Sequence, residues 1–258
     1  MLSLRGKIVL ITGATSGIGR ATAFAFAALG AKLILCARRL EVLTELTPQL
    51  LEAGAEDVLN IKLDVQDRAA VEAELGADLD PEWQEIAVLV NNAGLSRGLT
   101  KLWEDDVQNW EEMIDTNIKG LLYVTRTVVP GMVARGAGHV INLGSTAGHE
   151  TYANGAVYCA TKAAELAITE GLLIDLIASP VRATSIDPGM TETSFAEVRF
   201  RGNKERAAQV YANITPLQPE DVADTIVWVA TRPAHVNIHD IVMTTVDQAN
   251  STVFNRHS

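Results

Sequence analysis

The sequence predicts an α/β fold: a doubly wound parallel sheet covered by helices on both faces. Three observations predict it. Short β-branched runs alternate with longer helical stretches along the 258 residues. The runs are continuously apolar instead of alternating, as strands buried on both faces must be. No internal repeat, low-complexity block or Pro/Gly/Ser-rich linker divides the chain, so one domain over residues 1–258 is expected.

The elements follow in order. Residues 8–12 (Ile-Val-Leu-Ile-Thr) read as a buried strand, followed by a glycine loop and a helix over 20–29 that Gly30 stops. Residues 32–36 form the next strand, and 40–53 a helix closed by Gly54. Strand 58–63 precedes helix 68–75, and strand 86–90 precedes two helices over 107–118 and 121–134. Strand 139–143 leads to a long helix over 156–178, which stops before Pro180. Strand 181–186, helix 220–230 and a last strand over 238–246 complete the chain. Right-handed crossovers between parallel strands then give a Rossmann-type sheet of about seven strands.

Composition narrows the function. Apolar residues make up 48% of the chain, enough to bury a large core. With 21 basic against 32 acidic side chains the formal charge is −11, which disfavours nucleic acid as a partner because phosphate binding needs a basic face, so none is expected. The two cysteines, Cys36 and Cys159, sit in apolar segments and suggest no disulfide framework, so a reducing cytoplasm is expected. The five histidines form no metal-ligand spacing, and no metal is expected. The apolar stretch 21–37 is interrupted by Gly30 and Lys32, so no membrane association is expected.

Thr12-Gly-Ala-Thr-Ser-Gly-Ile-Gly19 lies between the first strand and the first helix. Glycines there permit a tight turn and a close approach of backbone to a pyrophosphate, which rests on the helix N-terminus. Gly13, Thr15, Ser16, Gly17, Ile18 and Gly19 are the expected cofactor contacts. Such folds read the adenosine ribose at the end of the second strand: an acid binds a 2′-hydroxyl, and arginine accommodates a 2′-phosphate. This chain has Arg38 and Arg39 there and no acid. Cations at a helix start oppose the macrodipole unless an anion joins them. NADP is therefore expected over NAD.

Ser145, Tyr158 and Lys162 form the catalytic set. Tyr158 and Lys162 are four residues apart and share a helix face. A free tyrosine, with a pKa of about 10, is a poor base near neutrality. A nearby ammonium stabilises the phenolate and suits the pair to general acid/base work. Ser145, at a strand end, can donate to a substrate oxygen.

Together these residues resemble the short-chain dehydrogenase/reductase family, through Thr-Gly-x-x-x-Gly-x-Gly at 12–19, Asp64-Val65, Asn91-Asn-Ala-Gly94, Asn117, Ser145, Tyr158, Lys162 and Pro188-Gly189. The resemblance implies a seven-stranded parallel sheet and a homotetramer built on two long central helices. It also implies that Asp64 and Val65 contact adenine, that the run Asn91, Asn92, Ala93 and Gly94 lines the cofactor, and that Lys162 holds the ribose. Asn117 would complete a catalytic tetrad through a proton-relay water. Residues 188–195 would close over the nicotinamide, with Pro188, Gly189 and Thr191 in contact. A narrower resemblance, through Asn142-Leu-Gly-Ser-Thr-Ala-Gly148, Glu192-Thr-Ser-Phe195, Val198-Arg-Phe-Arg-Gly202 and Pro233-Ala-His-Val-Asn-Ile238, is to the NADP-dependent 3-hydroxy acid dehydrogenases. It implies oxidation of the β-hydroxyl of serine, allo-threonine, 3-hydroxyisobutyrate or 3-hydroxypropionate.

Two segments depart from that pattern. His149-Glu-Thr151 replaces a more apolar stretch at the expected pocket edge, and Thr193-Ser194 replaces Thr-Glu in the lid. A carboxylate substrate needs a cationic partner, and Arg199, ahead of Arg201 and Lys204, is the first candidate beside Ser145 and Tyr158. Two other readings stay open: a carbonyl or 3-oxoacyl reductase of the same fold, and a non-catalytic cofactor sensor.

Overall fold

The computed structural model describes residues 2–257, so the outermost residues of the expected domain, Met1 and Ser258, lie outside the described residues. Seven strands form one sheet in the order β3-β2-β1-β4-β5-β6-β7. They are β1 (Ile8–Thr12), β2 (Lys32–Ala37), β3 (Asp57–Lys62), β4 (Ile86–Asn91), β5 (Gly138–Leu143), β6 (Val181–Pro188) and β7 (Asp240–Met243). Every neighbouring pair is parallel. The order reverses between β1 and β4, and a crevice opens there beyond the strand ends.

Strand residues alternate between two cores because successive side chains point to opposite faces. Val9, Ile11, Leu33 and Leu35 pack with Phe26 of α1 (Gly17–Ala27), Leu43, Leu46 and Leu50 of α2 (Leu40–Glu52) and, from the 219–230 helix, Val222, Ile226 and Val229. Ile8, Leu10, Ile34 and Cys36 face the other way, against Val71 of α3 (Arg68–Glu72) and the helices of residues 121–135 and 156–175. A fully buried side chain such as Phe26 contributes about 2–3 kcal/mol.

The expected helix over 107–118 is divided. Helix α4 (Val107–Ile114) passes into a π-type turn (Asp115–Gly120) before α5 (Leu121–Arg135). Gly120 packs against Val65 so closely that a Cβ there would strike its side chain, and the wider turn carries Asn117 inward. Helix 68–75 likewise ends at Glu72 and continues as a π-type turn (Ala73–Ala77). Three short helices were not expected: α6 (Thr146–His149), α8 (Phe195–Arg199) and α9 (Lys204–Val210). They are too short to display an apolar period. The long helix α7 (Ala156–Asp175) and α10 (Pro219–Ala230) match expectation in place, α7 ending three residues early. The last strand is shorter than expected, because only Asp240–Met243 pairs with β6 and Val246 stands fully in solvent. Cys36 and Cys159 are free and buried.

Candidate active site

A cleft of about 1140 Å³ lies over the ends of β1, β4, β5 and β6. Its floor is a hydrogen-bonded clamp across the point where strand order reverses. Thr12 Oγ1 accepts from the backbone N–H of Asn92 at 3.1 Å and of Ala93 at 3.0 Å. The Asn92 amide donates back to the carbonyls of Thr12 at 2.8 Å and Gly13 at 3.1 Å. Asn92 therefore fixes the glycine loop against β4. It lies within the Asn-Asn-Ala-Gly run expected to line the cofactor, but its role as a clamp between strands was not expected.

Two loop glycines are required by contact. A Cβ on Gly13, whose φ is +68°, would come within 2.9 Å of the Asn92 amide. One on Gly19 would overlap both that amide and the Gly13 carbonyl. The loop ends at Ser16, whose side chain makes no cap bond to α1, and the first turn of α1 contains no acid. Its free N–H groups face the cleft with the positive end of the helix dipole, a ready anion site. Arg38 and Arg39 follow β2 on the same side, and Arg39 Nη2 donates to Thr15 Oγ1 at 3.1 Å. Asp64 and Val65 line the next part of the wall, with Asp64 accepting from Gln66 N–H at 3.1 Å.

Ser145, Tyr158 and Lys162 converge on the cleft. Ser145 is the N-cap of α6; its Oγ accepts from Ala147 N–H at 3.1 Å, which leaves the hydroxyl hydrogen free to point outward. Tyr158 and Lys162 lie one turn apart on α7, with Lys162 Nζ 6.0 Å from the Tyr158 ring centre. Lys162 is buried and donates to the Leu143 carbonyl at 2.8 Å and to Glu165 at 2.7 Å. One of its three N–H donors remains for the cleft. Burial works against its charge, but Glu165 and Tyr158 outweigh that and hold the ammonium above its usual range.

Asn117 is fully buried behind these residues and outside the cleft lining. Its amide brackets Leu95, accepting from the N–H and donating to the carbonyl, each at 2.9 Å, and donates to Thr161 at 3.0 Å. Asn91 turns away too, donating to Thr125 and Asn142 in the interior.

The opposite wall belongs to Arg199. Its guanidinium stacks 5.3 Å from the Tyr158 ring centre and 5.2 Å from that of Phe195. It donates to Ser96 Oγ at 3.0 Å and to Tyr152 Oη at 3.1 Å. Burial pushes the Tyr152 phenol up, so it stays protonated and its hydrogen is available to a ligand. Ser96 and Tyr152 could not be found from sequence, since nothing marks them until Arg199 is placed. Arg201 turns outward to Asn109 and Glu112, and Lys204 is exposed. The lid is tied down at several points. Met190 N–H donates to Gln248 at 2.7 Å, Thr191 Oγ1 to the Gly189 carbonyl at 3.2 Å, and Ser194 Oγ to Ser16 Oγ at 3.4 Å. His149 does not line the cleft.

The folded site has the parts of a nicotinamide-dependent alcohol dehydrogenase, and comparison with known proteins supplies the lineage. Residues 7–204 match the short chain dehydrogenase family, and the chain belongs to it. The chain is 49% identical over 243 residues to the NADP-dependent 3-hydroxy acid dehydrogenase YdfG of Salmonella typhi, covering 94% of this chain and 96% of that one. It is 41% identical over 244 residues to the NADP-dependent 3-hydroxy acid dehydrogenase of Schizosaccharomyces pombe, covering 94% of each. Its fold matches the closed form of a serine dehydrogenase complexed with NADP+ with a TM-score of 0.91 and 46% identity, over 97% of this chain and 99% of that one.

Proposed function

We propose that this protein is an NADP-dependent dehydrogenase that oxidises the 3-hydroxyl of a small 3-hydroxy acid, of the serine, allo-threonine, 3-hydroxyisobutyrate or 3-hydroxypropionate type. The observation that carries the substrate class is Arg199. Its guanidinium stacks on the Tyr158 ring and is flanked by Ser96 and Tyr152, so a carboxylate bound there would bring the β-carbon to Tyr158. The names of the relatives support the same class.

The residues present fit NADP. The uncapped start of α1 and the glycine cradle suit a pyrophosphate, and Arg38 and Arg39, with no acid beside them, suit a 2′-phosphate. Gly13, Thr15, Ser16, Gly17, Ile18, Asp64, Val65, Ala93, Gly94, Pro188, Gly189 and Thr191 line the same cleft and would complete its contacts. When bound, the dinucleotide supplies the hydride acceptor.

The chain's own residues supply the proton chemistry. Ser145 donates to the substrate oxygen and holds it against Tyr158. Tyr158 as phenolate takes the hydroxyl proton, and Lys162 stabilises the phenolate. Ser145 then stabilises the charge that develops on oxygen. Arg199, held in place by Ser96 behind it, and Tyr152 hold the carboxylate and fix which carbon faces the cofactor.

NADP+ reduction should be measured with serine, allo-threonine, 3-hydroxyisobutyrate and 3-hydroxypropionate, alongside 3-hydroxyacyl thioesters and a neutral alcohol, with NAD+ in parallel. The reading expects free 3-hydroxy acids and NADP+ to be preferred, and a Tyr158→Phe variant to lose about 10²- to 10⁴-fold in kcat. A preference for thioesters, or turnover surviving Tyr158→Phe, overturns it.

Assembly into a homotetramer through α5 and α7 is part of the proposal. It is supported by the exposed apolar side chains Leu122 and Val133 on α5 and Ile174 on α7. Among the described residues no helix is long and apolar enough to cross a membrane. The cytoplasm remains the proposed location.

A further inference from the structure

His149, which departs from the expected apolar stretch, is turned toward the sheet. Its Nε2 lies 2.5 Å from Asp187 Oδ2 and 3.7 Å from Asp240. Asp187 is buried, accepts from Ser185 Oγ at 2.6 Å, and packs on Gly144 so tightly that a Cβ there would collide with its carboxylate. Gly144 lies between Leu143, whose carbonyl accepts from Lys162, and Ser145. A second buried carboxylate, Glu165, is paired with Lys162 at 2.7 Å, with 3% of the Glu165 and 6% of the Lys162 side chain exposed. Two carboxylates therefore stand behind the catalytic residues, outside the cleft lining.

We propose that Glu165 is a positioning residue for Lys162, and that its carboxylate sets the pH range over which Lys162 and Tyr158 work. The inference rests on the reading of Tyr158 and Lys162 as the acid/base pair. Glu165 anchors one Lys162 N–H and Leu143 another, so the ammonium has little freedom to leave the cleft wall. A buried ammonium with no counter-charge would be disfavoured, so Glu165 also keeps it charged. The same carboxylate offsets part of the positive charge that would otherwise stabilise a phenolate.

Arg199, stacked on the Tyr158 ring, and Tyr152 beside it also face the phenol and are untouched by substitution at Glu165; few other groups contribute to this balance. Lys162 lies on Glu165's own helix, with Tyr158 beyond it, and Asp187 comes from β6. Behind Asp187 stand His149 at the end of α6 and Asp240 at the start of β7, with Glu170 of α7 near Asp240. Burial pushes Glu165 up to about 7 against the pull of Lys162, and Asp187 adds to the rise.

Removing the Glu165 charge then has two consequences of one sign. The phenolate forms at lower pH because the ammonium is no longer offset, and the buried ammonium is lost at lower pH because its partner is gone. Both limbs of the pH profile of kcat/KM for oxidation should move down by about one pH unit in Glu165→Gln. Glu165→Met, apolar and of similar size, should give the same shift should a buried amide not be tolerated. Glu165→Asp, which keeps the charge, should return the profile toward wild type. Ultraviolet phenolate absorbance of the cofactor-free protein, with Tyr158→Phe as the blank, reads the same shift without turnover.

Superimposable profiles and phenolate titrations in folded Glu165→Gln or Glu165→Met overturn the proposal, as does a shift to higher pH. So does an equal shift in Glu165→Asp. Turnover surviving in Tyr158→Phe would instead sink the catalytic reading on which the proposal rests.

Discussion

The two sides of the cleft are built differently. The cofactor side rests on buried strand ends: the side chains of Thr12 and Asn92 clamp the backbones of two central strands together, and Gly13 and Gly19 leave no room for a side chain. The substrate side, residues 190–217, is closed on itself by backbone bonds of Leu217 with Met190 and Glu192. Apart from backbone bonds such as that from Gly98 to Arg199, it is tied to the rest largely through side chains, namely Gln248 on Met190, Ser194 on Ser16 and Arg199 on Ser96 and Tyr152. Strand backbones buried in a sheet have one arrangement, whereas half-exposed side-chain bonds can be exchanged at small cost. The first design suits a cofactor shared by many enzymes, and the second suits a substrate that differs among them.

Substitutions on each side sharpen this contrast. The largest effect is expected from Gly19→Ala, where the added methyl must displace the Asn92 amide or the Gly13 carbonyl. NADP+ affinity should fall at least about 10-fold, and the thermal midpoint by about 5 °C. Wild-type values for both would mean that the clamp is softer than its geometry implies. Arg199→Ala comes next: KM for a 3-hydroxy acid should rise about 10- to 100-fold, while a neutral alcohol changes less than about 2-fold. Equal losses on both substrates would remove Arg199 from carboxylate binding.

Arg39→Ala should reduce the preference for NADP+ over NAD+ by about 10-fold, measured as the ratio of kcat/KM. The site is exposed, so the ratio should also weaken as salt is raised. The smallest effect is expected from Gln248→Ala, which releases one lid hydrogen bond to Met190 N–H. KM should rise about 3- to 5-fold with the melting temperature nearly unchanged. A loss as large as that of Gly19→Ala would erase the distinction between the two sides.

The same division decides what could be read in advance. The strands, α1, α2, α7 and α10 follow from apolar period and helix stops, and the family follows from the residues at 12–19, 91–94, 145, 158 and 162. Helix α8 spans five residues and α9 seven, too few for a period to emerge against noise. Asn117 was foreseen as a site residue, but its place in a π-type turn depends on the contact of Gly120 with Val65, far away in sequence.

Other assignments needed the fold. His149 was set apart as a pocket-edge residue, and only the pairing of β6 with β7 turns it toward Asp187 and Asp240. Glu165 reads as an ordinary polar position on a helix until α7 is laid against the sheet and its carboxylate is buried on Lys162. The sequence by itself determined the fold class, the glycine loop and the spacing of Ser145, Tyr158 and Lys162, because these depend on local period, turn chemistry and neighbours within one turn of helix. The tertiary structure alone decided which polar and charged groups meet: Arg199 with Ser96 and Tyr152, and Lys162 and Glu165 with Asp187 nearby. Electrostatic partners are set by distance and burial in space, and neither is a property of position along the chain.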